Sequence, residues 1–238
     1  MNSSVVVNDI RNTACFAPGN FAKLSDLMHE QHVPGGTYLF LESEPADKLF
    51  YLKKGSVKMT KSSEDGKQVI LGLMHEGDLF GQYDPHTDSV HAFSAQAIEN
   101  SIVGVILRDE LELLLWRQGD LALDFMKWLG LSHRTTQTKF RDLLLFGKPG
   151  ALCSSLIRLC NSYGVKRDDG IWISKKTTNT ELAEMIGATR ESVNRMLGNL
   201  KRKKIISFDA HHHLIIHDPD YLRNICHCEH CPKDVCRI

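Results

Sequence analysis

The sequence predicts an α+β protein in which an antiparallel β domain precedes a long helix and a winged helix-turn-helix. Short apolar runs broken by glycine, proline and aspartate fill residues 33–107, a pattern typical of a β sandwich or barrel. A long amphipathic stretch follows over residues 120–145, where such breaks are rare. Two short helical patterns that flank a glycine then occupy residues 178–204, with small strands after them.

The predicted domain boundaries follow these changes of pattern. Gly147, Pro149 and Gly150 give a hinge after the long helix, because glycine and proline interrupt helical geometry. A chain of 238 residues has room for two such domains. The predicted segments are a loose N-terminus (1–20), the β domain (21–107), a dimerisation helix region (108–147), the winged helix-turn-helix (148–221) and a cysteine-rich tail (222–238).

The composition excludes several classes of protein. Lys and Arg total 29 and Asp and Glu total 29, so any DNA binding must come from a local basic patch. We expect neither secretion nor a membrane span, because the first residues lack a signal-like apolar core and no apolar run is long enough. The odd number of seven cysteines is unlike a secreted disulfide framework and predicts a reducing cytoplasm.

The helix-turn-helix is predicted from its start and stop signals. Thr178 stands three residues before Glu181, which is the spacing of a capping box at a helix N-terminus. Gly187 permits the left-handed backbone of a tight turn, and Thr189 caps the next helix. The two helices therefore lie in sequence as a helix-turn-helix requires.

The second of these helices has one apolar and one polar face. Arginine can donate two hydrogen bonds to guanine, and glutamate can accept from cytosine, so the polar face predicts contact with the major groove. The alternative is an ordinary helical hairpin with a solvated polar face. The inward face comprises Val193, Met196, Leu197 and Leu200. The predicted DNA-binding residues are Arg190, Glu191, Ser192, Asn194, Arg195 and, for a phosphate, Lys203.

The long helix carries more apolar surface than contact with one β domain needs. Two interpretations remain open: packing of all these residues on the β domain, or a two-fold dimer seam, which a palindrome-reading helix-turn-helix would also require. The residues in question are Leu121, Phe125, Trp128, Leu129, Phe140, Leu143 and Leu144.

The tail contains Cys226, Cys228, Cys231 and Cys236, spaced as C-x-C-x2-C-x4-C. Two thiolates in a C-x2-C step can reach one metal or cluster from a single turn. Four cysteines this close in a cytoplasmic protein indicate a metal site rather than four free thiols. Zinc and iron–sulfur ligation are both open, and Pro232 after the third cysteine favours the latter.

The order of these elements resembles the superfamily of the cyclic-AMP receptor protein and the fumarate–nitrate regulator, which are bacterial transcription factors and not enzymes. The motifs that carry the resemblance are ESEPADKLFYLKKGSVKM, HEGDLFGQ and TRESVNRMLGNLKRKKII. It implies a β-roll of the cyclic-nucleotide-binding type, a homodimer, and RNA polymerase as a partner. It also implies that Arg190, Glu191 and Arg195 read a TGTGA-type half-site in promoter DNA.

One departure from the superfamily concerns cyclic AMP. Members that bind it carry a Gly-Glu pair for the ribose and then an Arg-Ser pair for the phosphate. Here the corner has Gly81 and Gln82, and residues 89–93 read SVHAF. Because a buried phosphate without a cationic partner is costly, we expect no cyclic nucleotide to bind.

The tail and the run RDLLLFGKPGAL over residues 141–152 resemble the Bacillus-type Fnr branch. The resemblance implies that Cys228, Cys231, Cys236 and Asp142 hold a 4Fe-4S cluster, with Cys226 outside the set. Asp142 lies near the C-terminal end of a helix, where the dipole disfavours negative charge, so a compensating partner is expected.

The resemblance therefore implies an oxygen-responsive transcription regulator, mainly an activator, of anaerobic and nitrate respiration and fermentation genes. Two rivals remain: the same fold with a structural zinc tail, and a regulator that answers an unidentified small effector in the β-roll. An electron-transfer protein is disfavoured, because the polar stripe on the second helix would then have no purpose.

Overall fold

The computed structural model describes residues 10–84 and 88–238, which form two compact units. The N-terminal unit comprises Arg11–Ser132, and the C-terminal unit contains His133–Ile238. The division falls inside the long helix, whereas the sequence placed a boundary at the hinge after residue 147. The predicted α+β order of a β domain, a long helix and a helix-turn-helix is confirmed.

The described part of the N-terminal unit holds two four-stranded antiparallel sheets, ordered β1-β8-β3-β6 and β2-β7-β4-β5. Their strands are β1 (His29–Val33), β2 (Tyr38–Phe40), β3 (Lys48–Lys54), β4 (Val57–Ser62), β5 (Gln68–Met74), β6 (Leu79–Gly81), β7 (Ser94–Ala97) and β8 (Ser101–Leu107). Alternation along β3 sends Phe50 and Leu52 into the core between the sheets. Leu49, on the other face, joins a second core.

That second core is built from helices packed on the outer face of one sheet. Helix α1 (Pro18–Ser25) contributes Leu24, and helix α2 (Arg108–Arg117) contributes Leu111, and both side chains are fully buried. The N-terminal part of helix α3 (Gly119–Tyr163) adds Leu121, Phe125 and Trp128. For these three residues of α3, packing on the β domain is the correct interpretation of their apolar character.

The N-terminal segment differs from its prediction as a loose stretch. Residues 1–9 lie outside the described part, but Asn12–Cys15 forms a short 3-10 helix and Pro18 already begins α1. The Asn12 side-chain amide donates to the carbonyl of Leu79 at 2.7 Å, and the Thr13 hydroxyl donates to the carbonyl of Gly77 at 2.6 Å. Short polar side chains bonded to a distant backbone leave no periodic signal, which explains why the pattern missed this order.

Helix α3 continues through the predicted hinge with a single interruption. Gly147 has φ 57° and ψ −166°, a conformation that favours glycine, and Pro149 follows it. By length and composition α3 is the one helix in the described part able to cross a membrane, and 56% of its most apolar window is buried within the protein. The core helix of a soluble protein meets the same criterion.

The C-terminal unit builds on the last turns of α3, where residues 151–160 are all buried. One four-stranded sheet, ordered β11-β12-β10-β9, lies beside three helices. After α3, the elements of this unit are β9 (Gly164–Arg167), β10 (Gly170–Ile173), α4 (Asn179–Met185), α5 (Arg190–Arg202), β11 (Ile206–Phe208), β12 (Leu214–Ile216) and α6 (Pro219–Ile225). The antiparallel pair β11 and β12 is the predicted wing, and β9 is a strand that the sequence did not predict.

Candidate DNA-reading helix and cysteine tail

Helices α4 and α5 are positioned by the caps that the sequence predicts. The backbone N–H of Thr178 donates to the Glu181 carboxylate at 2.7 Å, and the N–H of Glu181 donates back to the Thr178 hydroxyl at 3.1 Å. Gly187 has φ 58° in the turn. The Thr189 hydroxyl then accepts from the N–H of Ser192 at 3.3 Å. These bonds satisfy orphan donors at both helix starts and fix the angle at which α5 leaves the turn.

Helix α5 is apolar on one face and exposed on the other, as its sequence predicts. Val193, Leu197 and Leu200 are buried, and Met196 is half-buried. The predicted reading residues Arg190, Glu191, Asn194 and Arg195 are exposed, whereas Ser192 is half-buried. The N-terminal turns of α5 thus present arginine and carboxylate groups of the kind that bind base edges in the major groove.

Lys203 follows α5 and is held by Tyr221 of α6. Its Nζ lies 2.6 Å from the Tyr221 hydroxyl and 5.1 Å from the centre of the Tyr221 ring. The lysine is exposed, so its charge remains available to a phosphate. Asn194 also has a side-chain partner, since Asn179 of α4 donates to its amide oxygen.

Asp142 is a buried carboxylate with three side-chain partners in the C-terminal unit. It is 2% exposed. Arg141 donates to Oδ1 from Nε at 3.1 Å and from Nη2 at 2.6 Å. Ser154 donates to Oδ2, and Nη2 of Arg158 lies 3.3 Å from the same oxygen. The compensating partner expected at this helix end is therefore present as two guanidinium groups.

Arg158 also binds the end of the tail. Its side chain is 4% exposed. Its Nη1 donates to the carbonyl of Val235 at 3.1 Å and to that of Arg237 at 3.4 Å, while Nη2 donates to the Thr138 hydroxyl at 2.9 Å. One guanidinium thus joins the segment that carries Asp142 to the segment that carries the last cysteine.

The four tail cysteines differ in exposure and in thiol chemistry. Cys226 and Cys236 are buried, whereas Cys228 and Cys231 are half-buried. Burial raises the pKa of Cys226 to about 11, with a smaller contribution from the neighbouring Cys228. Burial also raises the pKa of Cys236. The positive charge of Arg158 opposes this shift, and the like charges of Cys228, Cys231 and Asp142 add to it.

These residues fit an iron–sulfur group in their chemistry and neighbourhood. Thiolates and one carboxylate are suitable donors, and metal binding deprotonates a thiol whose pKa is raised. Within residues 10–84 and 88–238, no three His, Cys, Asp or Glu side chains converge as a closed metal site.

Asp142 is surrounded by Arg141, Ser154 and Arg158, which the sequence did not predict as part of the site. A signal for Arg158 was present, because it is the one charged residue in the helical run ALCSSLIRLC. A charge that is buried needs a partner, so such a residue points to an acid or to carbonyls nearby. Nothing in the sequence identifies which acid that is.

In the β domain, Gln82 lies at the corner where the superfamily's contacts to cyclic AMP are predicted to be missing. Its side-chain amide donates to the carbonyl of Val90 at 3.0 Å, and its oxygen accepts from the N–H of Ala92 at 2.8 Å. The same domain has a cavity of about 280 Å³ that is bordered by aromatic and charged side chains. Its lining includes Phe40, Glu44, Asp47, Lys48, Phe50 and His91.

Two models of known protein families match this chain, one in each half. Residues 30–118 match the model of the cyclic nucleotide-binding domain, and residues 150–225 match that of the Crp-like helix-turn-helix domain. Together with the exposed reading face of α5, these matches define a DNA-binding regulator of transcription.

Similar proteins include the anaerobic regulatory protein of Bacillus subtilis, 44% identical over 85% of this chain and 85% of its own length. The global nitrogen regulator of Nostoc is 32% identical over 71% of this chain and 77% of its own. Among solved structures, a CooA mutant from Carboxydothermus hydrogenoformans superposes with a TM-score of 0.74 at 21% identity, covering 86% and 90% of the two chains. The chain belongs to the CRP/FNR family of transcription regulators, which confirms the resemblance found in its sequence.

Proposed function

We propose that this regulator is oxygen-responsive, with a 4Fe-4S cluster held by Cys228, Cys231, Cys236 and Asp142. The observation that carries the proposal is the linkage through Arg158, which binds the Asp142 carboxylate and the carbonyls on both sides of Cys236. The similarity to the anaerobic regulatory protein of Bacillus subtilis supports the same function.

The chain's own residues suit an oxygen-labile site. Three thiols leave one iron without a cysteine ligand, so a carboxylate must supply the remaining position. A bound cluster would link the tail to helix α3. Molecular oxygen could break this link, because the carboxylate of Asp142 is a hard donor and therefore a weak ligand for a soft cluster. Arg141 and Arg158 hold the carboxylate in place from both of its oxygens.

The DNA-reading unit is proposed to act as a homodimer on a TGTGA-type palindrome in promoter DNA. Three apolar side chains of the C-terminal part of α3 are exposed in a single chain: Phe140 at 63%, Leu144 at 64% and Leu145 at 70%. A second copy that covers them would supply the two-fold symmetry required to place two recognition helices about 34 Å apart. Leu143, 40% exposed, belongs to the same surface.

Activation would then be a shift of population. The tail follows α6, which contacts Lys203 at the end of the reading helix, and its last residues bind Arg158 in α3. A tail fixed at both ends would favour one orientation of α5, and the favoured orientation is the one that fits successive major grooves. We propose RNA polymerase as the partner at the promoter and the cytoplasm as the location.

Anaerobic purification tests the proposal directly. We expect broad absorbance near 400 nm, iron and sulfide in the protein, and specific binding to a TGTGA palindrome that air abolishes. Protein that contains zinc, has no absorbance in this region and binds DNA equally in air would establish the structural-zinc rival instead. A DNA fragment with one half-site scrambled is the control for specific binding.

A small effector in the β domain is the second candidate, and one observation favours it. His91 is 2% exposed, stacks on Phe40 with ring centres 3.7 Å apart and lines the cavity. Burial lowers its pKa, and no group in the described part of the chain hydrogen-bonds to its Nδ1. A buried donor or acceptor of this kind can bind a small polar ligand. Air-stable DNA binding that changes on replacement of His91 by Phe would support this candidate.

A further inference from the structure

Side chains in the final turns of α3 form hydrogen bonds to main-chain atoms of the last four residues of the tail. These bonds do not involve the sulfur of Cys236. Arg158 binds the carbonyls of Val235 and Arg237, and Asn161 donates to the carbonyl of Cys236 at 2.7 Å. The N–H of Ile238 donates to the Ser162 hydroxyl at 3.2 Å. Three consecutive carbonyls of the tail are thus bound by two side chains of one helix.

These bonds leave the thiol of Cys236 free. All of them use main-chain atoms of the tail, so they are compatible with any state of the sulfur. The tail also closes a turn of its own, because the N–H of Cys236 donates to the carbonyl of Pro232 at 2.9 Å. The position of this cysteine is therefore fixed by hydrogen bonds that a ligand on sulfur neither makes nor breaks.

Cys228 and Cys231 are held differently. Both are half-buried, and they lie in a segment where His227 and His230 have φ of 45° and 52°, a conformation rare for residues with side chains. Residues 229, 230, 232, 233 and 234 around them are exposed. This segment is the most exposed part of the tail, and exposed segments open most easily.

We propose that Arg158 is the positioning residue that places Cys236 beside Asp142, so that ligand assembly begins from a fixed pair and is completed by Cys228 and Cys231. This role deepens the proposed function and rests on it. A guanidinium suits the task because it is always charged and its planar fork binds several acceptors at once. It binds Oδ2 of Asp142 and the two carbonyls that flank Cys236 with the same group.

The test measures how fast each tail thiol reacts in the full chain after removal of metal by a chelator. N-ethylmaleimide labels the cysteines, and trypsin separates Cys236 from the other three by cleaving after Lys233. In the unaltered protein, we expect Cys236 to react at least about tenfold more slowly than Cys231, because a buried thiol reacts only on local opening. Arg158→Met should bring the two rates within about threefold, while Cys226 stays slow.

Arg141→Lys is the matched control. Arg141 also binds Asp142, but its other ion-pair partner is Glu229, at 2.5 Å, and it has no bond to residues 235–238 among the described contacts. We expect this variant to keep Cys236 slow. Arg158→Lys should restore part of the protection, because a lysine can reach one of the two carbonyls but cannot fork between them.

Two results would overturn the proposal: equal rates for Cys236 and Cys231 in the unaltered protein, or unchanged protection in Arg158→Met. Acceleration of Cys226 together with Cys236 would indicate general unfolding rather than lost positioning. If Arg158→Met does not fold, Asn161→Ala removes one tail bond alone and should speed Cys236 selectively. Iron uptake measured in parallel decides the proposed function separately, since the labelling needs no iron.

Discussion

Asp124 and Asp142 are both buried carboxylates of helix α3, with 4% and 2% exposure, and they differ in the groups that bind them. Asp124, in the N-terminal unit, accepts from the N–H of Ala17 and the amide of Asn20, both at 2.9 Å, and from Lys127 at 2.7 Å. Asp142, in the C-terminal unit, is bound by two arginines and a serine.

The partners indicate two different uses of the same side chain. The donors to Asp124 are a helix start and a surface lysine, and their hydrogen bonds hold the pKa of this carboxyl below its usual range. This aspartate caps α1 and fixes it to α3, which is a structural task. Asp142 is bound by a guanidinium that also binds the cysteine tail, so its position is coupled to the thiols.

Replacing each aspartate by alanine should give the largest contrast. Asp142→Ala should lose at least about tenfold in iron content and lose anaerobic binding to the palindrome, because the proposed cluster loses one ligand. Asp124→Ala should keep both and lose only thermal stability. Iron analysis and gel-shift assays under nitrogen would measure the contrast, with Asp142→Cys expected to retain iron and resist air for longer.

Full iron and an unchanged oxygen response in Asp142→Ala would show that the carboxylate is not a ligand. Iron loss in Asp124→Ala, with the protein still folded, would remove the contrast between the two aspartates altogether.

The four tail cysteines should likewise divide into three cluster ligands and one cysteine that is not a ligand. Replacing Cys228, Cys231 or Cys236 by alanine should abolish the cluster and anaerobic DNA binding, because each leaves an iron without a thiolate. Cys226→Ala should leave iron content within about twofold, since this thiol lies outside the proposed set. Iron loss in Cys226→Ala, with Asp142→Ala unaffected, would instead indicate an all-cysteine site.

In the reading helix, Arg195→Ala should cost about 1–3 kcal/mol of specific binding and relax preference at one base pair. Lys203→Ala should weaken all sequences alike and flatten the salt dependence, because its proposed contact is a phosphate. Both variants should keep full iron, which would separate DNA contact from cluster binding within the C-terminal unit. Competition assays at several salt concentrations measure the two effects, and equal loss of specificity in both variants would contradict the roles assigned.

The sequence predicted the fold well because most of its signals are local. The caps at Thr178 and Thr189, the turn at Gly187 and the apolar face of α5 depend on neighbours within a few residues. Arg158 and Asp124 could not be placed from the sequence, because their partners lie 77 and 107 residues away in the chain. Asp142 became a candidate only through resemblance to a family, and its arginine partners required the structure.

A smaller effect is the pH dependence of the stability that Asp124 provides. The pKa of Asp124 is lower in the folded state than the ordinary value near 3.9, so its stabilisation is complete above that pH and is lost as pH falls through the folded pKa. Asp124→Asn should therefore lower the thermal midpoint by a few degrees at neutral pH, and the difference should shrink in acid. Scanning calorimetry would measure it, and a difference that grows in acid would contradict the assigned role.

The smallest expected effect is that of cyclic AMP on the N-terminal unit, where we expect no binding at all. Gln82 occupies the place of the ribose-binding carboxylate and is bonded to Val90 and Ala92, and residues 89–93 contain no arginine for the phosphate. Gln82→Glu alone should not create affinity, because the cyclic phosphate would still lack a cation and would stand near an added negative charge. Calorimetric titration of both proteins should give no heat of binding, and micromolar affinity in the unaltered chain would show that this unit has kept a ligand by contacts other than the family's usual ones.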